Sequence, residues 1–214
     1  RERNKYFFPI HHVWHDDIAF WKTKINNDAI KIAKGEKLVF IDGDCILHKR
    51  FIETYNNCIV EGKYLYGRRV MLGPKISNKL LETKDIKHLQ LFKVLFSDSK
   101  QRQEAIYFPL RKSKKSDNRE IWGCNWGVLK KYMIGINGFD EDYMKIFFGE
   151  DLDVGWRLKA KYDLKLISLK NLAIQYHLYH KTSWNKAIED EGRILFDIKR
   201  QKGLAVCENG IVKK

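Results

Sequence analysis

Apolar positions follow two rhythms along the chain. Between 23 and 34, Ile25, Ala29, Ile32 and Ala33 recur at helical spacing, and Gly35 stands where a helix end favours left-handed backbone. The rhythm then changes. Lys37-Leu-Val-Phe-Ile41 is a short apolar run with β-branched and aromatic side chains, which predicts a buried central strand of a parallel sheet. Helix, glycine and strand in that order read as the second half of a β-α-β crossover. Further along, Phe51, Ile52, Tyr55 and Ile59 share one face of a helix over 49–61, closed by Gly62. Residues 64–71 read as a strand, 77–105 as mainly helical and charged, and 151–161 as a helix with Leu152, Trp156 and Leu158 available for packing. The stretches 164–169 and 172–176 are strand-like. Residues 183–201 predict an amphipathic helix capped by Ser183, with Trp184, Ala187, Ile188, Leu195 and Ile198 as its stripe. The tail, 204–214, predicts a short strand or hairpin around Asn209-Gly210. With no internal repeat and no long linker, the pattern predicts one α/β domain over 1–214.

Two acidic clusters interrupt this pattern where chemistry is expected. The first, Asp42-Gly-Asp44, leaves the carboxyl end of the apolar strand, where open α/β sheets place their ligands. The second, Gly149-Glu-Asp-Leu-Asp153, opens a helix. A carboxylate pair at a strand end suits a divalent cation and a diphosphate leaving group, because Mg²⁺ or Mn²⁺ can bridge both phosphates as charge develops. Asp44 is the natural ligand; Asp42 is placed to orient ribose or sugar hydroxyls, and Gly43 permits close approach to the backbone. A carboxylate on the opposite face removes the proton of an attacking hydroxyl in a single inverting displacement, and Asp151 is the candidate base. Glu150 and Asp153 are then acceptor-binding candidates; otherwise all three only complement the helix dipole. The helix N-terminus is expected to keep Asp151 ionised at neutral pH. His177 and His180 follow the last core strand. His177 is a metal-ligand candidate, and Lys181 a phosphate contact. Trp122 and Trp126, among glycines in 121–138, line an acceptor cleft or sit in the core, and Asn125 between them is a further substrate-binding candidate.

Composition narrows the partners. The 214 residues are 44% hydrophobic and 13% aromatic, values of a globular chain. The formal net charge is +14, which suits an anionic membrane face or simply aids solubility. No basic helix or aromatic strand pair marks a specific nucleic-acid module. Cysteines at 45, 58, 124 and 207 lack CxxC spacing, which argues against a zinc knuckle and predicts reduced thiols in a cytoplasmic protein, with peripheral contact at the inner membrane face. The His-rich start (His11, His12, His15) reads as a packed loop and strand rather than a metal site, and 111–119 as a solvated loop or a lid.

The segments from His12 to Ile46, Gly123-Cys-Asn-Trp-Gly127, Asn137-Gly-Phe-Asp-Glu141 and Gly149–Asp153 resemble bacterial family 2 glycosyltransferases of the GT-A fold. The later segments resemble the C-terminal half shared by galactosyltransferases and chondroitin-type polymerases. The resemblance implies a mixed, mainly parallel sheet flanked by helices. It divides the chain into a donor and metal part (1–120), an acceptor and catalytic part (121–182) and a C-terminal helix and tail (183–214). It implies transfer of a hexose from a nucleoside diphosphate sugar, UDP-linked, to a saccharide or glycolipid acceptor in cell-surface polysaccharide synthesis. Asp42 and Asp44 match the DxD motif, Asp151 the base, His177 the third metal ligand and His180 a basic phosphate contact. Asn27 matches the Asn of a donor-binding Arg-Asn pair whose Arg is replaced by Asn26. Nothing in 1–40 resembles the family's first nucleotide-binding strands, so that portion is expected to be missing. The rival classes are a sugar nucleotidyltransferase, whose Gly-rich phosphate loop is not seen, a basic nucleic-acid-binding module, and an inactive chain of the same fold.

Overall fold

The computed structural model describes residues 8–16, 21–110, 114–115, 121, 123–146, 148–181 and 185–213. In chain order the elements are α1 (Lys22–Ile32), β1 (Lys37–Ile41), β2 (Cys45–Leu47), α2 (Phe51–Cys58), β3 (Lys63–Tyr66), β4 (Arg68–Met71) and α3 (Pro74–Thr83). They continue with α4 (Leu91–Leu95), β5 (Lys114–Lys115), β6 (Asn125–Leu129), α5 (Lys130–Gly135), α6 (Glu150–Tyr162), β7 (Lys165–Ser168), β8 (Ile174–His177) and α7 (Lys186–Gln201). Three 3-10 turns, at Ile86–Leu89, Arg102–Ala105 and Glu141–Lys145, complete the described set.

The strands form a five-stranded sheet in the order β1-β6-β3-β7-β5 and a three-stranded sheet in the order β2-β8-β4. Both are mixed. The parallel pairs are β3 with β7 and β4 with β8; β1 and β3 run antiparallel to β6, and β2 antiparallel to β8. The expected central parallel strand is therefore corrected. β1 is an antiparallel strand at the edge of the described sheet, with one buried residue, Leu38, among partly buried and exposed ones. Its apolar run is explained by packing on both faces, Leu38 and Phe40 against the cluster around Trp126 and Val39 against the one around Phe51 and Tyr55. Phe40 stacks on Trp126 at 4.3 Å between ring centroids and meets Phe139 edge-on, contacts that contribute about 0.5–1.5 kcal/mol each beyond area burial.

The single strand expected over 64–71 is divided. Gly67 separates β3 from β4, and a Cβ there would lie 2.5 Å from the Ala173 carbonyl oxygen and 2.4 Å from the Asn125 side chain. Only glycine allows so close an approach, so the chain passes from one sheet to the other at this point. Leu38, Tyr64, Trp126, Val128, Val154 and Leu158 belong to the core of the larger sheet; Val70, Leu72, Ile76, Leu80 and Val94 belong to that of the smaller. The N-cap of α7 is Asn185, which accepts from the Ala187 N–H, rather than Ser183, which with Trp184 lies outside the described residues. Residues 8–16 are irregular and largely exposed, so the packed strand expected near His11 and His12 does not form there. Apart from the short strand Lys114–Lys115, residues 111–120 also lie outside the described set. No described helix is long and apolar enough to cross a membrane.

Candidate active site

Strand register assembles the site. β2 pairs with β8 so that Cys45 faces His177, and the next rung joins the Leu178 N–H to the Asp44 carbonyl at 3.0 Å. Asp44 therefore emerges beside the end of β8. Its Oδ2 lies 3.2 Å from Nε2 of His177 and 3.2 Å from Nε2 of His180. The turn after β8 is pinned from α3, where Ser77 Oγ accepts the Tyr179 N–H at 2.9 Å. His180 Nδ1 contacts the Lys181 carbonyl oxygen at 2.9 Å. A carbonyl only accepts, so Nδ1 donates there and Nε2 is the ring nitrogen turned toward Asp44. Burial lowers the pKa of His177, with Arg69 and His180 adding to the effect against the pull of Asp44. One carboxylate and two imidazoles, with ligand atoms all within 4.8 Å of one another, fit a divalent transition metal; Mg²⁺, which prefers oxygen, fits less well than Mn²⁺. His180, expected at a phosphate, is brought into this trio.

The trio opens into a cleft of about 1110 Å³, lined also by Asp42, Gly43, Arg69, Lys100, Phe148 and Glu189. A Cβ on Gly43 would meet nothing within 4 Å, so the backbone there faces open space.

The second acidic cluster reaches the first through β6. Ile41 faces Asn125, which brings Asp42 alongside the segment leading into β6. There the Gly123 N–H donates to Asp151 Oδ2 at 3.0 Å, while the Leu152 N–H donates to Oδ1 at 2.9 Å. Lys22 at the start of α1 joins the two clusters, with Nζ 3.4 Å from Asp42 Oδ1 and 3.4 Å from Glu150 Oε1. Burial opposes its charge, yet Glu150, Asp42 and Asp151 together hold its pKa above the ordinary lysine value. Asp151 is not held ionised by the helix end, as expected from sequence. Burial and the Glu150 charge push its pKa up to about 7, outweighing Lys22 and the two N–H donors. Asp151 and Glu150 do not themselves line the cleft; they adjoin it through Lys22 and Asp42.

Four expected contacts are corrected by burial. Asn27 is fully buried; its amide accepts the Phe139 N–H and donates to the Phe139 carbonyl and Glu141, so it holds the 137–141 turn instead of a donor. Asn125 accepts the Tyr55 hydroxyl at 2.6 Å and donates to the Arg68 and Ala173 carbonyls, joining the two sheets. Asp153 lies 2.6 Å from Arg157, both buried, one turn apart on α6. Trp126 is completely buried, so the core alternative holds for that ring, and Trp122 lies outside the described residues. Lys181 is exposed beside His180.

No protein-family model matches the chain, and no curated protein matches it in sequence. A solved structure does: GalNAc-T7 with UDP, GalNAc and Mn²⁺, at a TM-score of 0.51 over 81% of this chain, with 12% identity. The chain has a GT-A fold. It spans about a third of the length of that protein, 34%. Within this fold, Lys22 and the third member of the histidine–carboxylate trio are the residues that sequence reasoning did not single out for these positions. Lys22 carries no local signal; its role depends on a contact 128 positions away in the chain.

Proposed function

We propose that the protein is a glycosyltransferase that transfers a hexose from a nucleoside diphosphate sugar, UDP-linked, to a saccharide or glycolipid acceptor with inversion. The observation that carries this reading is the convergence of Asp44, His177 and His180 at one end of the cleft, in a GT-A fold. GalNAc-T7 with UDP, GalNAc and Mn²⁺ supports a UDP-sugar donor and manganese. Asp44, His177 and His180 would hold the metal, which when bound supplies charge to the departing diphosphate. Asp42, at the cleft wall, orients donor hydroxyls, Arg69 on the same wall supplies positive charge near the phosphates, and Lys181, exposed beside His180, adds to that charge. Lys22 keeps Asp42 and Glu150 in register, and Glu150 binds the acceptor or holds Lys22. Asp151 takes the acceptor proton: a carboxylate with a pKa near 7 is a better base than an ordinary aspartate and is still half ionised at neutral pH. The role is cell-surface polysaccharide synthesis at the inner face of a membrane.

The test is nucleotide release from a panel of UDP-, GDP- and dTDP-sugars with mixed saccharide acceptors, with Mn²⁺ or with chelator. UDP release that requires both Mn²⁺ and acceptor, and an anomeric configuration opposite to the donor's in the product, is expected. Binding of no sugar nucleotide under any condition contradicts the proposal.

A further inference from the structure

α3, the 3-10 turn at Ile86–Leu89, α4 and the 3-10 turn at Arg102–Ala105 form a layer over the smaller sheet. Its inner side is closed by Val94, which is fully buried among Val70, Leu72 and Leu80. Successive helical residues turn by about 100°, so Phe92 and Phe96, each two positions from Val94, project the opposite way. They are 74% and 86% exposed, with Ile86 at 70% and Leu81, on α3, at 49%. Scattered exposed apolar residues are ordinary; two phenyl rings one turn apart, with further large apolar side chains on the same layer, are not.

Charge identifies the occupant. Between 75 and 110 there are seven Lys or Arg against four Asp or Glu, and Glu104 is buried between Arg68 and Lys170. Lys84, Lys87 and Lys93 are exposed beside the apolar residues. Lysine is depleted in the cores of protein–protein interfaces, whereas an anionic bilayer accepts ammonium groups among its headgroups and phenyl rings at the acyl boundary. We infer that this layer is a docking surface for an anionic lipid membrane.

The same layer forms a wall of the cleft. Lys100 pairs its backbone with Met71, with N–O distances of 2.7 and 3.1 Å, and Met71 stands opposite His177 in the register of β4 and β8. Docking therefore brings the cleft to the bilayer, where a lipid-linked acceptor would be held; this last step rests on the transferase reading above.

The experiment is co-sedimentation of the 214-residue chain with phosphatidylcholine vesicles, with and without phosphatidylglycerol. Partitioning at least about tenfold stronger to the anionic vesicles is expected, falling with added salt. The exposed double substitution Phe92→Ser/Phe96→Ser should lower it by about tenfold or more while leaving the melting temperature unchanged. Equal partitioning to both vesicles, or a double variant that binds like the parent, overturns the inference. So does a parent chain that self-associates through this face, dispersed by the double substitution, without binding vesicles. The vesicle readout uses no nucleotide, metal or acceptor, so its failure leaves the transferase reading to the nucleotide-release assay.

Discussion

Asp151→Asn separates the electrostatics of the candidate base from its chemistry. The carboxyl titrates near 7 in the folded chain, against about 3.9 when unfolded. Between these values the native state binds the extra proton, so this group's contribution to stability is complete below about pH 4 and is lost as pH rises to 7. The full gap corresponds to about 4 kcal/mol, and partial exposure to water reduces it to about 1–2 kcal/mol. Asparagine removes the charge but accepts only one of the two N–H donors, at Gly123 and Leu152, that the carboxylate satisfies, a loss of about 1 kcal/mol at every pH. The variant should therefore be less stable than the parent at pH 5 and close to it at pH 8. Thermal melts at intervals across that range should show the difference in melting temperature narrowing by about 2–8 °C. A difference that stays constant with pH refutes the raised pKa. Turnover should fall by roughly 10²–10⁴ while donor binding is kept.

Much of the frame was legible in the chain. The run Lys37–Ile41 forms the expected strand, the acidic turn follows it, and the helix begins at Glu150. These features are local: an apolar run and a glycine with φ of 103° at position 149, where a Cβ would lie 2.8 Å from Tyr143. The strand's neighbours were not legible, because the antiparallel pairing of β1 with β6 joins residues almost ninety positions apart. The same holds for Asn27, Asn125 and Asp153. Each is a polar residue in a motif-like setting, and only tertiary packing reveals that its hydrogen-bonding groups are satisfied inside the protein. His180 is a different case: its position three residues after His177 was visible, but the turn that swings it back to Asp44 depends on Ser77 of α3.

Lys22→Met removes the cation between Asp42 and Glu150, so the acidic limb of the kcat/KM profile should move to higher pH, since Lys22 lowers the pKa of Asp151. An unmoved limb argues against their coupling. Asp153→Ala leaves Arg157 buried without its partner and should cost about 3–5 kcal/mol in urea unfolding, as befits a structural pair. Gly192→Ala would normally favour a helix by about 1 kcal/mol, but here the new Cβ would lie 2.5 Å from the Phe148 carbonyl oxygen, so denaturant midpoints should fall.

The central claim is that Asp44, His177 and His180 hold one divalent metal that in turn holds the donor diphosphate. Titration of Mn²⁺ followed by the electron paramagnetic resonance signal of the free ion tests it directly. One Mn²⁺ bound per chain, tightened by UDP and lost in both Asp44→Asn and His177→Ala while each variant remains folded, is the predicted result. Equal Mn²⁺ binding by the parent and both variants, or UDP binding indifferent to Mn²⁺, would contradict it.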